Sequence, residues 1–422
     1  MNKYICAAII CSLLLMITGC GGEDSGGEEI ELTWSTTSGY SPEAPTQAAS
    51  EHIAGKVREF EEAYPNVELV TEIQNSNIDE AMARILEQAD SGRAPDLAAI
   101  DSYLLDRYKD YLQPLDDLMK EKGMEEEDFF PFAQDVMKGE DGKIYGLYMG
   151  TDTRVMYYNT DVIDTPPETW DELIETANDI QAEGYEGIIL PGGRGEGASV
   201  TTLWPLFWGK GGELVDDEGN PAFGEGENRE IMLEVLETMQ RAVEEGALPQ
   251  RMSSYGAEGD LNEEIAGGNA ALFLGGSFQE SFLKETLGDD FENWDIAPLP
   301  QMEGGEPAST SGGWTWGIFT EDQEKQKAAF DLITDTFITG EAMDALDQLP
   351  ALSTLYESDD YDGTEFTEKF RESLETEANV RPSATSYRVI TVEMQTALSD
   401  VIAGNKTPEE ALDDAWEVAN SN

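Results

Sequence analysis

Between Ala48 and Tyr64, apolar residues fall at Ile53, Val57, Phe60 and Tyr64, the spacing of one helix face, and Pro65 ends the pattern. Val67-Glu68-Leu69-Val70 then predicts a strand. Ile78 to Ala89 predicts a second helix, with Met82, Ile85, Leu86 and Ala89 on one side. After Pro95, Asp96-Leu97-Ala98-Ala99-Ile100-Asp101 predicts a buried parallel strand that ends in a carboxylate. With Leu32-Thr33-Trp34 as the first strand, the order is β-α-β-α-β, the arrangement of an α/β sheet.

The alternation continues to the end of the chain. Gly142 to Leu147 leads into a strand at Arg154-Val155-Met156-Tyr157-Tyr158-Asn159. Thr169-Trp170-Asp171-Glu172 reads as a capping box, with the Thr hydroxyl meeting the N3 amide and Glu172 reaching back. Strands are expected at Ile188-Ile189-Leu190 and Ala270 to Leu274, and a long helix over Arg229 to Glu245. Ile296 to Leu299 and Gly317 to Phe319 bracket a Gly-rich loop, followed by a helix over Ala328 to Phe337. Thr407-Pro408-Glu409-Glu410 opens a final helix, with Pro at its first position.

The N-terminus follows a different rule. Met1-Asn2-Lys3 precedes an apolar run from Tyr4 to Ile17. That run is shorter than the ~20 residues that cross a bilayer core, and it fits a secretory signal over residues 1–19. Ile17-Thr18-Gly19-Cys20 predicts lipidation at Cys20, and residues 20–29 read as the lipidated cysteine and a flexible tether. The only cysteines are Cys6, Cys11 and Cys20, so the mature body has no disulfide, cysteine nucleophile or cysteine metal site. Residues 30–422 are enough for two lobes.

Charge narrows the function classes. The chain carries 88 Asp and Glu against 25 Lys and Arg, a net charge of −63. That argues against nucleic acid or an anionic membrane as partner, since both select clustered Lys and Arg. With 40% apolar residues and recurring periodicity the chain is not disordered, and the expected reading is an acidic surface of halophile type that loosens at low salt. Nucleophile-elbow, phosphate-loop and zinc motifs are absent. Gly192-Gly193-Arg194-Gly195-Glu196-Gly197 lacks the lysine of a phosphate loop. No catalytic residue, cofactor or metal is assigned; a carboxylate-only site would hold structural Ca²⁺. His52, the single histidine, receives no role.

Several stretches occur in one order: Ser91-Gly92-Arg93-Ala94-Pro95-Asp96-Leu97, Leu112-Gln113-Pro114-Leu115-Asp116, Gly142-Lys143-Ile144-Tyr145-Gly146-Leu147, Tyr157-Tyr158-Asn159 and Pro167-Glu168-Thr169-Trp170. They are followed by Gly268 to Phe278, Ala297-Pro298-Leu299-Pro300 with Gly312-Gly313, and Gly404 to Leu412. Together they resemble the family 1 extracellular solute-binding proteins of ABC importers, the maltose and sugar type. The resemblance implies a two-lobed, type II periplasmic-binding-protein-like α/β fold. Each lobe is a mixed sheet flanked by helices, and a hinge of crossing segments joins them. Crossings are expected near Gly150-Asp152, Gly275-Ser277 and Thr339-Ala342. The first lobe would comprise 30–150 plus 277–339, and the second 151–276 plus 340–422.

The implied activity is non-enzymatic capture of a small ligand, a mono- or oligosaccharide, in the interlobe cleft. Delivery to ABC permease subunits by a monomer anchored outside the cytoplasmic membrane would follow. Polyamine, peptide or polyol binding is the alternative within this class, and an exported glycosidase the alternative outside it. A sugar site needs aromatic faces beside hydroxyl-binding polar groups. Trp204 and Trp208 follow the Gly-rich loop, although a core helix face explains them equally well. Strand alternation is expected to turn only one of Trp314 and Trp316 to the cleft, and Trp314, beside Gly313, is favoured. Asp101 faces the crevice by the open-sheet rule. Tyr40 follows the first strand, and Ser277 and Phe278 sit at the second expected crossing. The resemblance further implies ligand contact by Asp152, beside the first crossing, and by Arg381 and Tyr387.

Overall fold

Thr46 accepts the Ala49 amide, and helix Gln47–Ala63 starts there with Ile53 and Phe60 buried. This computed structural model describes residues 30–421; the expected signal, tether and Cys20 lie outside the described residues. The helices over Ile78–Asp90, Trp170–Ala182 and Pro408–Ala419 begin at Asn77, Thr169 and Thr407, each of which caps with its side chain. At Thr407 the box is reciprocal. At Thr169 it is half made, because Glu172 takes the Glu168 amide instead.

Strands β1 (Ile30–Thr36), β2 (Val67–Ile73), β3 (Leu97–Asp101), β4 (Leu147–Asp152), β9 (Gly312–Ile318) and β10 (Leu349–Pro350) form one sheet in the order β10-β4-β9-β3-β1-β2. Pairs β1-β2 and β1-β3 are parallel, and β9 runs antiparallel to both β3 and β4. Strands β5 (Arg154–Asn159), β6 (Leu272–Gly276) and β7 (Trp294–Ala297) form a second, antiparallel sheet in the order β6-β5-β7. Strand β8 (Ser309–Thr310) pairs with β11 (Ala378–Asn379). The fold is thus two α/β lobes with mixed and antiparallel sheets. Ile188-Ile189-Leu190 is fully buried but forms no strand. Ile189 bridges only to Phe273, and Ile188 turns its amide to Ala247.

The chain first changes sheets at Thr153, between β4 and β5, beside the first expected crossing. The expected crossing at Gly275-Ser277 is not one. Strand β7 pairs with β5, so residues 277–310 stay with the second sheet and the return is at Ser311. The small residues there serve packing: a Cβ on Gly275 would lie 2.0 Å from Gln279 Oε1, and one on Gly276 would lie 2.3 Å from the Phe278 ring. Nor is Thr339-Ala342 a crossing. Helix Gly340–Leu346 packs against helix Gln47–Ala63, and β10 pairs with β4.

Buried hydroxyls tie the crossing segments together. Thr153 Oγ1 lies 2.8 Å from Ser309 Oγ and 2.9 Å from Ser373 Oγ, while Ser309 Oγ accepts from the Arg154 amide at 2.8 Å. Gly313 has φ 137°, and a Cβ there would fall 2.1 Å from the Gly150 carbonyl oxygen, where the β4-β9 register shifts. Gly313→Ala is expected to cost about 2 kcal/mol or more through backbone strain. Urea denaturation reads this, and an unchanged midpoint would refute it.

Candidate functional site

A cavity of about 800 Å³ opens where the two sheets meet, walled by loops that follow β1, β3, β4 and β6 and by the start of β9. Tyr40, Asp101, Asp152, Ser277, Phe278, Gly313, Trp314 and Arg381 all line it. Asp101 ends β3 and is only 7% exposed, as a carboxylate at a strand's C-terminal end should be when a crevice sits above it. Phe278 is 42% exposed, so its ring is free to be covered.

Three expected residues lie elsewhere. Trp204 is wholly buried, and its Nε1 donates to the Tyr387 hydroxyl at 3.0 Å. Trp208 packs at 6.5 Å on Trp204, so this pair is the core face of a short helix, Trp204–Gly209. Tyr387 is buried too, and donates to Glu196 Oε1 at 2.6 Å. Trp314 and Trp316 are two residues apart and share one face of β9. Position along the strand separates them. Trp316 is buried against Trp34 and Phe337, whereas Trp314, at the cleft end, is half-buried with its ring 5.9 Å from Tyr40.

Two arginines organise the polar lining. Arg381 Nη2 lies 3.2 Å from Asp101 Oδ1 and Arg381 Nη1 lies 3.5 Å from Glu196 Oε1, with the guanidinium 4.0 Å above the Tyr103 ring. Asp101 belongs to the first sheet, while Glu196 is held by Thr391 and Gln395 of helix Tyr387–Ile402 at 3.0 and 3.1 Å. The Arg381 bridge therefore spans the cleft. Burial pushes the Asp101 carboxyl above its usual range, with Arg381 pulling the other way. Burial opposes the charge on Arg381, but Asp101 and Glu196 keep it firmly cationic.

Arg154, 8% exposed, pairs with Asp152 and, through Nε at 3.3 Å, with Glu258, itself 7% exposed. Thr201 Oγ1 also donates to Glu258, at 2.8 Å. Asp152 accepts the Gly312 amide at 3.0 Å, so one carboxylate joins the first and second crossings. Further along, Lys284 pairs with buried Glu280 at 2.8 Å, and Ser281 donates to Asp347 at 2.7 Å.

The sequence reading missed Arg154, Glu196, Glu258 and Lys284. Arg154 had a signal: it is an arginine in an Arg-poor chain, two residues from Asp152. Glu196 was passed over with the Gly-rich loop that holds it. Among the described residues, no group of three or more His, Cys, Asp or Glu is placed to hold a metal ion. None of the described helices is long and apolar enough to cross a membrane.

Residues 33–343 match the profile described as bacterial extracellular solute-binding protein. A probable ABC transporter-binding protein of Deinococcus radiodurans is 29% identical over 243 residues, 52% of this chain and 54% of that protein. The chain thus matches about half the length of that relative. The maltodextrin-binding protein of Bacillus subtilis is 21% identical over 292 residues, 67% of each chain. In fold, the chain is similar to the sugar-binding protein MalE of Xanthomonas citri, with TM-score 0.74 and 20% identity over 92% of this chain and 96% of that one. It is also similar to a maltose-bound protein of T. maritima, with TM-score 0.73 and 21% identity over 93% and 99%.

Proposed function

The chain belongs to the bacterial extracellular solute-binding protein family, whose members bind solutes rather than transform them, and on that premise we propose that it captures a saccharide between its lobes for an ABC importer. The observation that carries the sugar reading is the placement of Trp314 and Tyr40, ring against ring, in one cavity with Asp152, Asp101 and Arg381. Aromatic rings suit the C–H faces of a pyranose, and carboxylates and guanidinium suit its hydroxyls. The maltodextrin and arabinooligosaccharide binders among its relatives support the same class.

A polycation fits less well. Eight carboxylates and three cations line the cavity, whereas the chain has 88 acids to 25 bases, so the lining is no more acidic than the protein at large. Ligand contacts to both lobes would shift the population toward the closed form. The location outside the cytoplasmic membrane follows from the family. Lipid anchoring at Cys20, handover to permease subunits, a monomeric state and the lobe limits at Thr153 and Ser311 belong to this proposal.

A thermal-shift screen in molar salt tests it, with mono-, di- and oligosaccharides, polyols, polyamines, amino acids and short peptides. A saccharide at a hundredfold excess over its Kd should add about 2.7 kcal/mol of stability. Trp314→Ala should weaken that ligand about tenfold or more. A rise in Tm confined to polyamines or peptides would reject the sugar reading, and no rise with any compound would reject ligand capture by this cleft.

A further inference from the structure

Helix Gly340–Leu346 ends in a left-handed turn. Asp347 takes φ 54° and ψ 51° there, and the Gln348 amide reaches back to the Met343 carbonyl at 3.0 Å. Among the described residues fourteen glycines carry a positive φ, and Asp347 is the one residue of another type that does. Helix Asp116–Lys122 ends in the same way with Gly123, at φ 73°. The chain thus places glycine where the backbone demands it and departs from that rule once. An aspartate here is strained relative to glycine, and a side chain held against that cost points to a use for it.

Aspartate tolerates this conformation best when its side chain bonds locally. Here Oδ1 instead accepts from Ser281 Oγ at 2.7 Å, 66 positions away. Both partners stand on fixed supports. Helix Gly340–Leu346 packs on helix Gln47–Ala63, and Leu349-Pro350, just beyond the turn, pair with β4 of the first sheet. Ser281 lies on helix Gln279–Leu287, which continues from β6 of the second sheet. Gln279 anchors that helix: its Oε1 accepts the Gly276 amide and its Nε2 donates to the Glu258 carbonyl, both at 3.1 Å. The bond therefore joins one lobe to the other, and both side chains line the main cavity. The next residue, Gln348, donates through Nε2 to the Tyr40 hydroxyl, so the turn that aims Asp347 also seats one ring of the aromatic pair.

We infer that Asp347 is a positioning residue for capture: its bond to Ser281 latches the two lobes and raises the closed population before any ligand arrives. Strain in one turn is accepted for a contact that forms only when the lobes come together. Both partners belong to the chain, so the bond adds to the closed form whether or not the cleft is filled. A larger closed share lowers the apparent Kd of whatever the closed form binds. The inference rests on the two-lobed capture reading above.

The test measures lobe separation in the unliganded full chain, in molar salt. Cys6→Ser, Cys11→Ser and Cys20→Ser clear the background. Spin labels go on Glu72→Cys, exposed on edge strand β2, and on Glu237→Cys, exposed on helix Gly226–Glu244. Two label distances, one for each form, give the open-to-closed ratio. Ser281 and Asp347 are exposed, so their bond has the worth of one ordinary hydrogen bond. Ser281→Ala and Asp347→Gly should each raise the ratio about fivefold, and the double variant no further. Asp347→Asn keeps an acceptor and the same backbone tolerance, and should stay within about twofold of wild type. Asp347→Gly should also melt no lower than wild type, since glycine suits the turn. A residue that only ends its helix would leave the ratio alone. An unchanged ratio in Ser281→Ala and Asp347→Gly would overturn the latch and leave ligand capture intact. One distance common to all these proteins, and unmoved by maltodextrins or arabinooligosaccharides, would remove the hinged capture reading and this inference with it.

Discussion

Arg154→Ala is expected to destabilise the protein by about 3–5 kcal/mol, the usual loss when one partner of a buried ion pair is removed. The reason is what remains. Glu258 is 7% exposed and would keep one hydroxyl partner, Thr201, but no cation. Asp152 would lose its guanidinium while still holding the Gly312 amide. Arg154 Nη1 also donates to the Thr310 carbonyl at 3.2 Å, so the second crossing loses a bond as well. Arg154→Lys should recover only part of the loss, since an ammonium cannot serve Asp152, Glu258 and Thr310 in one plane. Adding Glu258→Gln to Arg154→Ala should restore part of the stability, because the amide carries no charge to strand. Urea denaturation of the four proteins measures this. A loss below about 1 kcal/mol for Arg154→Ala would mean that the triad contributes little to the fold.

The second large effect concerns the whole surface. The melting temperature should rise by about 10 °C or more as sodium chloride goes from about 0.05 to about 2 M. With 88 carboxylates and 25 cations, most surface acids have no positive neighbour within reach. At about 0.1 M salt the Debye length is ~10 Å and adjacent carboxylates repel; at 1 M it is ~3 Å and the repulsion is largely gone. Sodium sulfate should do the same at lower concentration, since it also strengthens apolar burial. A melting temperature that stays flat in chloride would show that the charge is spaced widely enough to be harmless. The Arg154 and Arg381 pairs should respond least, being shielded from the solution.

The sequence disclosed much of this architecture because its signals are local. Periodicity placed helix Gln47–Ala63 and strand β3 to within a residue or two, and the carboxylate at the end of β3 gave Asp101. Trp314 was legible from the glycines before it. The misreadings have one cause: non-local partners decide. Trp204 and Trp208, four apart, suit a cleft or a core alike, and the Tyr387 hydroxyl 183 positions away selects the core. Ile188-Ile189-Leu190 has strand composition, but its neighbour offers only one bridge. A crossing at Gly275-Ser277 was expected from the family resemblance, but the small residues there serve a tight contact, with Gln279 filling the space beside Gly275. Glu258 carried no sequence signal at all; it became part of the site only because β5 brought Arg154 beside it.

The place of β9 in its sheet has a consequence for how the molecule comes into being. It lies between β3 and β4, yet it begins at residue 312, some 160 positions after β4 ends. A growing chain therefore carries β3 and β4 through some 160 further residues of synthesis without the strand that joins them. Such late, distant pairing is slow to find and cannot lock early. Until residue 318 has been made, β3 and β4 lack the partner that lies between them, and the six-stranded sheet cannot close.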